Sequence, residues 1–315
     1  KGIVIDRRTA LEAMVRSANC DYYDATGVYK RLGYVPYDVK STGSSMTLEY
    51  AYDDWAIARM AEALGCNDTA REYYRRALNY VNVFDGSTRF FRGRRSDGGW
   101  TTPFEEFATG RDYTEATPWH YRFFAPHDIN GLEQLFGGRT PFVDELDRLF
   151  TLTSEEMQLD VADVTGLMGQ YAHGNEPSHH VPYLYMWTSQ PWKTQYWVRE
   201  IMDRMYRPVI DGLCGNDDCG QMSAWYIFTA MGFYPVCPGS DQYVLGAPYF
   251  PYMKVRVGEG RYLEIKAPKV SSKNRYVHGV RLNGKPWTKA YLTYSDLCGG
   301  GVLEFDMRPT PDKRR

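Results

Sequence analysis

Long hydrophobic runs are missing from this chain of 315 residues. No apolar stretch approaches the roughly 18 residues that a membrane-spanning helix needs. A charge excess is missing as well: 37 Lys and Arg face 39 Asp and Glu, a formal net charge of −2. Such balance offers no electrostatic attraction for nucleic acid or an anionic membrane. Cysteine is sparse. The six, at positions 20, 66, 214, 219, 237 and 298, are too few and too scattered for a disulfide scaffold. Cys214 and Cys219 flank one loop; they could pair or be two small buried thiols. The opening KGIVIDRR has no initiating Met and no signal-type apolar core. The chain is therefore expected to be a fragment, a processed product or a trimmed form. One glycosylation sequon, Asn67-Asp68-Thr69, says little alone.

Aromatic side chains are abundant at 15%, with 26 Tyr and 8 Trp. They stack on sugar rings, and large cores use them too. Residues 1–239 read mostly as helices, with helical apolar spacing in 47–64, 67–84, 128–136, 140–150, 153–163, 179–190, 191–206 and 219–233. The first two of these form a helical hairpin, and Asn67, Asp68 or Thr69 could cap its second helix. Thr140 and Pro141 open a helix, as does Pro191. From 240 to 315 the period falls to two. The stretch 252–268 turns at Gly-Glu-Gly and 276–287 carries an Asn-Gly hairpin signal. With 290–297 and 300–309 this makes about five strands. Helices first and then sheet argue for an α+β chain. Helical hairpins with polar residues at their loops suit a toroid whose site lies where the loops converge, although no fixed-period repeat establishes it.

Three stretches mix carboxylates with aromatics. In "DYTEATPWHYRFFAPHD" (112–128), Glu115 lies near Tyr113, Trp119, His120, Tyr121 and Phe124. A carboxyl in apolar surroundings is expected to stay protonated and serve as a general acid. It could equally cap the helix opened by Pro118. In "HGNEPSHHVPYLY" (173–185), Glu176 sits with His173, His179 and His180. Pro177 breaks any helix carrying them all, and the spacing is not that of HExxH, so zinc is not supported. A polar floor for a sugar and a plain Glu-Pro turn both remain open. In "LCGNDDCGQMSAW" (213–225), Asn216, Asp217 and Asp218 precede a helix. One acid there is explained by the helix dipole, worth about 0.3–1 kcal/mol. Two plus an Asn are more than a cap needs, which supports a base or a site for a hard cation. Together the clusters suggest glycoside hydrolysis, which needs an acid at the leaving oxygen and a base or nucleophile across the ring.

Five stretches, "TLEYAYDDWAIA", "YTEATPWHYRFFAPHD", "GNEPSHHVPYLY", "GNDDCGQMSAWYIFTAMGFYPVCPG" and "GGVLEFDMRPTP", occur in one order across nearly the whole chain. In this they resemble the glycoside hydrolase family 92 α-mannosidases. The resemblance implies an exo-acting, inverting, Ca2+-dependent α-mannosidase cutting terminal α-linked mannose from N-glycans or mannans. It implies an (α/α)6 toroid-type helical domain over 1–239, then C-terminal strands over 240–315 that belong to a β-sandwich. The rest of that sandwich is expected on a missing N-terminal segment or chain. By motif, Glu115 matches the general acid and Asp218 the general base. Glu176 matches a contact to the leaving sugar. Trp119, Asn175, His179, Asn216 and Asp217 are expected to line the substrate. The resemblance gives no clean set of calcium ligands. Gly-Asn-Glu-Pro in place of His-Glu-Pro puts α-1,2 specificity in question and raises a mannosyl-phosphodiester uncapping hydrolase as an alternative. Related uncapping sequences carry Gln at the acid position, where this chain has Glu115. A second alternative is an inactive carbohydrate-binding fragment or subunit. A mannose-containing oligosaccharide as substrate suggests a secreted or periplasmic setting.

Overall fold

A computed structural model describes residues 5–153 and 164–313. The helix expected over 153–163 falls almost wholly outside the described residues. Contacts divide the chain into two units, Lys1–Ala172 and His173–Arg315.

The first unit begins with α1 (Arg7–Ala18), capped by Asp6, whose carboxylate accepts the Arg8 and Thr9 amides. Next come α2 (Thr26–Leu32), α3 (Gly43–Ala63) and α4 (Asn67–Arg76). Helix α3 starts earlier than Thr47, where its apolar period begins. A Cβ on Gly43 would stand 2.2 Å from the Val35 carbonyl, so only glycine allows that close entry. The capping expected at 67–69 is not built: Cys66 is the N-cap and no side chain caps α4. Beyond Arg76 the coil tightens to a 3-10 helix over Ala77–Val83. Leu11, Ile57, Ala58, Ala61, Ala70 and Tyr73 form the α1–α3–α4 core. Small residues on α3 let the three helices approach closely. Inside this unit Arg76 pairs with Asp54 at 2.9 Å, and the Tyr29 hydroxyl donates to Asp54 at 2.8 Å.

Downstream lie β1 (Phe84–Asp85) paired with β2 (Phe90–Phe91), then α5 (Pro118–Tyr121), α6 (Ile129–Leu135) and α7 (Arg139–Thr151). Asp128 caps α6 through the Gly131 amide. The unit closes with β3 (Leu167–Met168) against β4 (Tyr171–Ala172).

The second unit opens with 3-10 turns over Glu176–Ser178 and Val181–Trp187, where the apolar spacing suggests an α-helix. Pro177 and Pro182 remove amide donors that an α-helix would need. Then come α8 (Trp192–Met205), α9 (Gln221–Met231), β5 (Phe233–Tyr234), β6 (Gln242–Leu245), β7 (Tyr252–Gly258) and β8 (Arg261–Lys266). After these follow β9 (Tyr276–Leu282), β10 (Lys285–Pro286), β11 (Tyr291–Thr293), α10 (Tyr294–Cys298) and β12 (Gly301–Arg308). The order β10-β9-β12-β8-β7 makes a five-stranded sheet, and β11-β6-β5 a three-stranded one. The Asn283-Gly284 turn has left-handed φ at both residues, +52° and +77°. The strand expected over 290–297 ends at Thr293, whose hydroxyl caps the short α10 through the Asp296 amide.

Both sheets feed one core. Leu263, Ile265, Val280 and Phe305 come from the larger sheet, and Phe233, Tyr243 and Leu292 from the smaller. The helices α8 and α9 go with these strands, so the compact units do not part where helix gives way to strand. Helix α8 is tied to the strand region: Gln195 accepts the Val277 amide at 2.9 Å and Glu200 pairs with Arg275 at 2.6 Å. Among the described residues no helix is long and apolar enough to cross a membrane.

Candidate functional site

The loop ahead of α9 holds three consecutive residues with positive φ: Asp218 at +45°, Cys219 at +56° and Gly220 at +91°. Glycine adopts this region freely. For an ordinary residue it costs on the order of 1–3 kcal/mol, and such positions gather at functional sites. Asp is among the side chains that tolerate it best. Asn216, Asp217, Asp218 and Cys219 are all exposed. Asp217 Oδ1 accepts the Ser223 amide at 3.0 Å, and the Asp217 carbonyl accepts the Met222 amide at 3.2 Å. Asp217 therefore satisfies first-turn donors of α9. Asp218 offers its carbonyl to the Gln221 amide at 3.1 Å. Cys214 and Cys219 are free thiols rather than a pair, and burial pushes the Cys214 thiol up to about 11.

Beneath this loop runs a hydrogen-bond relay whose proton positions are fixed by the partners. The Tyr206 hydroxyl donates to the Met222 carbonyl at 2.9 Å. Its oxygen therefore accepts from His173 Nε2–H, at 2.7 Å. His179 Nε2 faces the His173 carbonyl at 2.9 Å, an acceptor, so that nitrogen carries the proton. Its Nδ1 is left to accept from the Gln221 amide at 3.1 Å. The same amide donates to the Tyr234 hydroxyl at 3.2 Å. Trp225 Nε1 donates to the His179 carbonyl at 3.0 Å, and its ring meets that of His173 at 4.4 Å. Both imidazoles are neutral. Burial lowers His179 to about 4, against smaller upward pulls from the His173 carbonyl and the Asp218 charge. Burial also holds His173 well below its ordinary range, with the neighbouring His179 adding to the effect.

The second and third sequence clusters thus meet in one unit. Glu176 is exposed and Asn175 half-buried, with Asn175 Oδ1 accepting the Glu176 amide at 3.1 Å. Tyr234 is raised to about 12, chiefly by burial and in small part by the Glu176 charge. The Glu176 charge thus acts on Tyr234 and the Asp218 charge on His179, the two groups that the Gln221 amide bridges.

Glu115 belongs to the first unit. It too lies on left-handed backbone, φ +53°, with Asp112 at +64° just before it. The loop is pinned to the start of α3: the Asp112 amide donates to Ser41 O at 2.8 Å, Ser45 N–H to Asp112 O at 3.1 Å, and Thr114 N–H to Ser45 Oγ at 3.0 Å. The apolar surroundings expected for Glu115 are not built around it. Glu115 is exposed, while Tyr113, Trp119, His120, Tyr121 and Phe124 all turn into the core. The reversed φ at Glu115 separates it from its sequence neighbours. His120, lowered to about 4 by burial, accepts the Thr117 amide on Nδ1 at 3.1 Å.

Trp119 is fully buried, and the expectation that it lines a sugar is corrected here. Its ring carries the Arg122 guanidinium at 4.4 Å and the Arg148 guanidinium at 5.4 Å, with Phe90 edge-on at 5.1 Å. No ring face is left for a ligand. Arg122 in turn pairs with Glu145 at 3.0 Å, and burial lowers it to about 10.

Residues 1–309 match the glycosyl hydrolase family 92 catalytic domain. The chain belongs to that family. A family GH92 α-mannosidase from Bacteroides thetaiotaomicron superposes with a TM-score of 0.93 at 43% identity, covering 99% of this chain and 41% of that one. A family GH92 inverting mannosidase from the same organism gives 0.89 at 38% identity, covering 99% and 44%. A curated relative from Arthroderma benhamiae, an uncharacterized secreted glycosidase, is 27% identical over 96% of this chain and 42% of its own length. The family 92 chain thus spans about two fifths of these relatives.

Both corners of this family 92 domain present an exposed carboxylate residue on left-handed backbone, over buried side chains. Among the described residues no three His, Cys, Asp or Glu side chains gather as a metal-binding group. Tyr206, Gln221 and Tyr234 carry the relay; Tyr206 lies outside the motif stretches, and Gln221 and Tyr234 fall inside one without a carboxylate cluster's signal of their own. Each finds its role through a partner far along the chain.

Proposed function

We propose that this family 92 chain carries the catalytic residues of an exo-acting α-mannosidase that hydrolyses terminal α-linked mannose with inversion. The observation carrying this reading is the pair of motif-matched carboxylates, Glu115 and Asp218, each exposed on strained backbone over a rigid shell. Glu115 acts as general acid, protonating the leaving oxygen. Asp218 acts as general base, deprotonating the attacking water on the opposite face of the sugar. Neutral His179 and Gln221 hold the backbone that carries Asp218. Glu176 and Asn175 contact the leaving sugar, and Asn216 borders the base. Asp217 serves the α9 cap, with substrate contact secondary.

In the full fold proposed, the helices form part of an (α/α)6 toroid. The two sheets of the second unit contribute to a β-sandwich completed by an N-terminal segment or chain. N-glycans and mannans are the substrates of this reading, in a secreted or periplasmic setting, in keeping with the secreted fungal relative. Ca2+ is proposed as cofactor. When bound it would supply positive charge to sugar hydroxyls. Full activity in a chelator would remove it from the scheme.

The deciding experiment is Glu115→Gln assayed on mannobiose and on a mannoside with an activated leaving group. A loss of about 10²–10⁴-fold is expected on mannobiose, with little loss on the activated substrate, because only the poor leaving group needs a proton. Equal losses would exclude the acid role. The Gly-Asn-Glu-Pro sequence at 174–177 favours a second reading, hydrolysis of a mannosyl phosphodiester. Faster turnover of that ester than of mannobiose would establish it.

A further inference from the structure

The outer face of the five-stranded sheet carries a hollow of about 470 Å³ lined by β8, β9, β12 and the segment after β10. Its walls come from a register the sheet imposes. Glu304 lies opposite Lys266 on one neighbour and Arg281 on the other, giving a cation–anion–cation row across three strands. One step along, Asp306 pairs with Gly279. A Cβ added to Gly279 would meet nothing nearer than Asp306 Cβ at 3.9 Å, so the hollow exists because that position lacks a side chain. Leu303, Phe305 and Met307 take the opposite face into the core, which turns Glu304 and Asp306 outward. At the rim stands Trp287, half-buried. Its indole N–H is pinned to the Tyr291 carbonyl at 3.1 Å and its amide to the Val280 carbonyl at 2.9 Å.

We infer that this hollow is a second saccharide-binding site, independent of Glu115 and Asp218, for a neutral oligosaccharide of the substrate's class. The reading of that class rests on the proposed mannosidase function. The chemistry selects the ligand. Lys266, Lys269 and Arg281 share the hollow with Glu304 and Asp306; Lys266 already meets Glu264 at 3.5 Å and Arg308 meets Asp306 at 3.0 Å, so charges of both signs line it and two of them are compensated locally. An anion entering here faces Glu304 and Asp306; a cation faces Lys266 and Arg281. A hydroxyl both donates and accepts, so a polyol can bridge the row. The Trp287 ring packs on the core and has the exposed Lys289 ammonium 5.5 Å from its centroid, so a sugar ring would meet its C–H face there in place of that mobile side chain. The volume falls in the range of small-ligand sites, about 300–1,000 Å³.

The test is electrophoresis of the full chain through native gels with and without α-mannan. Wild type and Asp218→Asn are expected to be retarded equally. Trp287→Ala and Gly279→Leu should each lose the retardation, about tenfold in apparent affinity. Gly279→Leu fills the hollow without removing any contact, and an unchanged melting temperature shows that it folds. An unretarded wild type, or retardation that survives both hollow variants, overturns the site, as does retardation lost in Asp218→Asn alone. Release of mannose from mannobiose, measured separately, reports on the mannosidase reading whatever the gels show.

Discussion

Glu115 and Asp218 both sit on left-handed backbone, φ +53° and +45°, yet the side chains packed behind them are of opposite kinds. Behind the loop of Glu115 the core is charged and aromatic. Arg122 lies 3.9 Å over the Phe90 ring and 4.4 Å over Trp119, and pairs with Glu145. Behind Asp218 the support is neutral: two imidazoles, an amide and two phenols, joined by hydrogen bonds. The difference teaches two ways of keeping a buried shell free of net charge. In the first unit the Arg122 cation is cancelled by Glu145. In the second, burial keeps His173 and His179 neutral, so the shell carries no charge near neutral pH.

Breaking the charged support should have the largest effect on stability. Arg122→Ala leaves Glu145 without its buried partner and removes the side chain stacked on Trp119. It should cost on the order of 3 kcal/mol in urea unfolding, since the buried Glu145 keeps only the more exposed Arg148 and Arg89 as partners. A cost under 1 kcal/mol would show that Arg148, 2.9 Å from Glu145, suffices alone.

Acid should attack the neutral support next. His179 falls from 6.5 to about 4 on folding. The unfolded chain then binds more protons between those values, so stability is full above about 6.5 and is lost as pH falls toward 4. The loss is on the order of 3 kcal/mol per such histidine. His120, also near 4, contributes in the first unit. Unfolding measured against pH in His179→Gln and His120→Gln separates the two shares. An unchanged slope in His179→Gln would mean that His179 is not held neutral.

Gln221→Leu tests the relay with no change of charge. It leaves His179 Nδ1 and the Tyr234 hydroxyl short of a partner, at about 1–3 kcal/mol. Calorimetric melting would register this as a lowered midpoint, and no shift would mean that water replaces the amide.

The smallest effect belongs to the backbone itself. Asp218→Gly and Glu115→Gly should each change stability by about 1 kcal/mol or less, because relief of the left-handed residue is offset by the floppier unfolded chain. Asp218→Ala, which keeps the strain but loses the side chain's local bonding, should be the less stable of the two Asp218 variants. The reverse order in chemical denaturation would show that the corner is unstrained.

Much of this was legible before the fold. Strand alternation from 252 onward, the Asn-Gly turn, the helix near 128–136 and Pro191 at a helix start are local signals, and each stands in the structure. They are legible because dihedral preference and side-chain period are written residue by residue. The motif stretches that mark family 92 are equally local. Other features were not. The aromatic neighbours of Glu115 predict an apolar pocket, and the fold turns them away from it. The tautomers of His173 and His179 rest on Tyr206 and Gln221, which lie 33 and 42 residues away along the chain. Which nitrogen holds a proton, which ring is buried and which sheet face is hollow depend on partners chosen by packing, and sequence pattern carries no record of that choice. The chain by itself determined the chemistry available at each corner; the tertiary structure decided which of those groups meet water and which are locked beneath them.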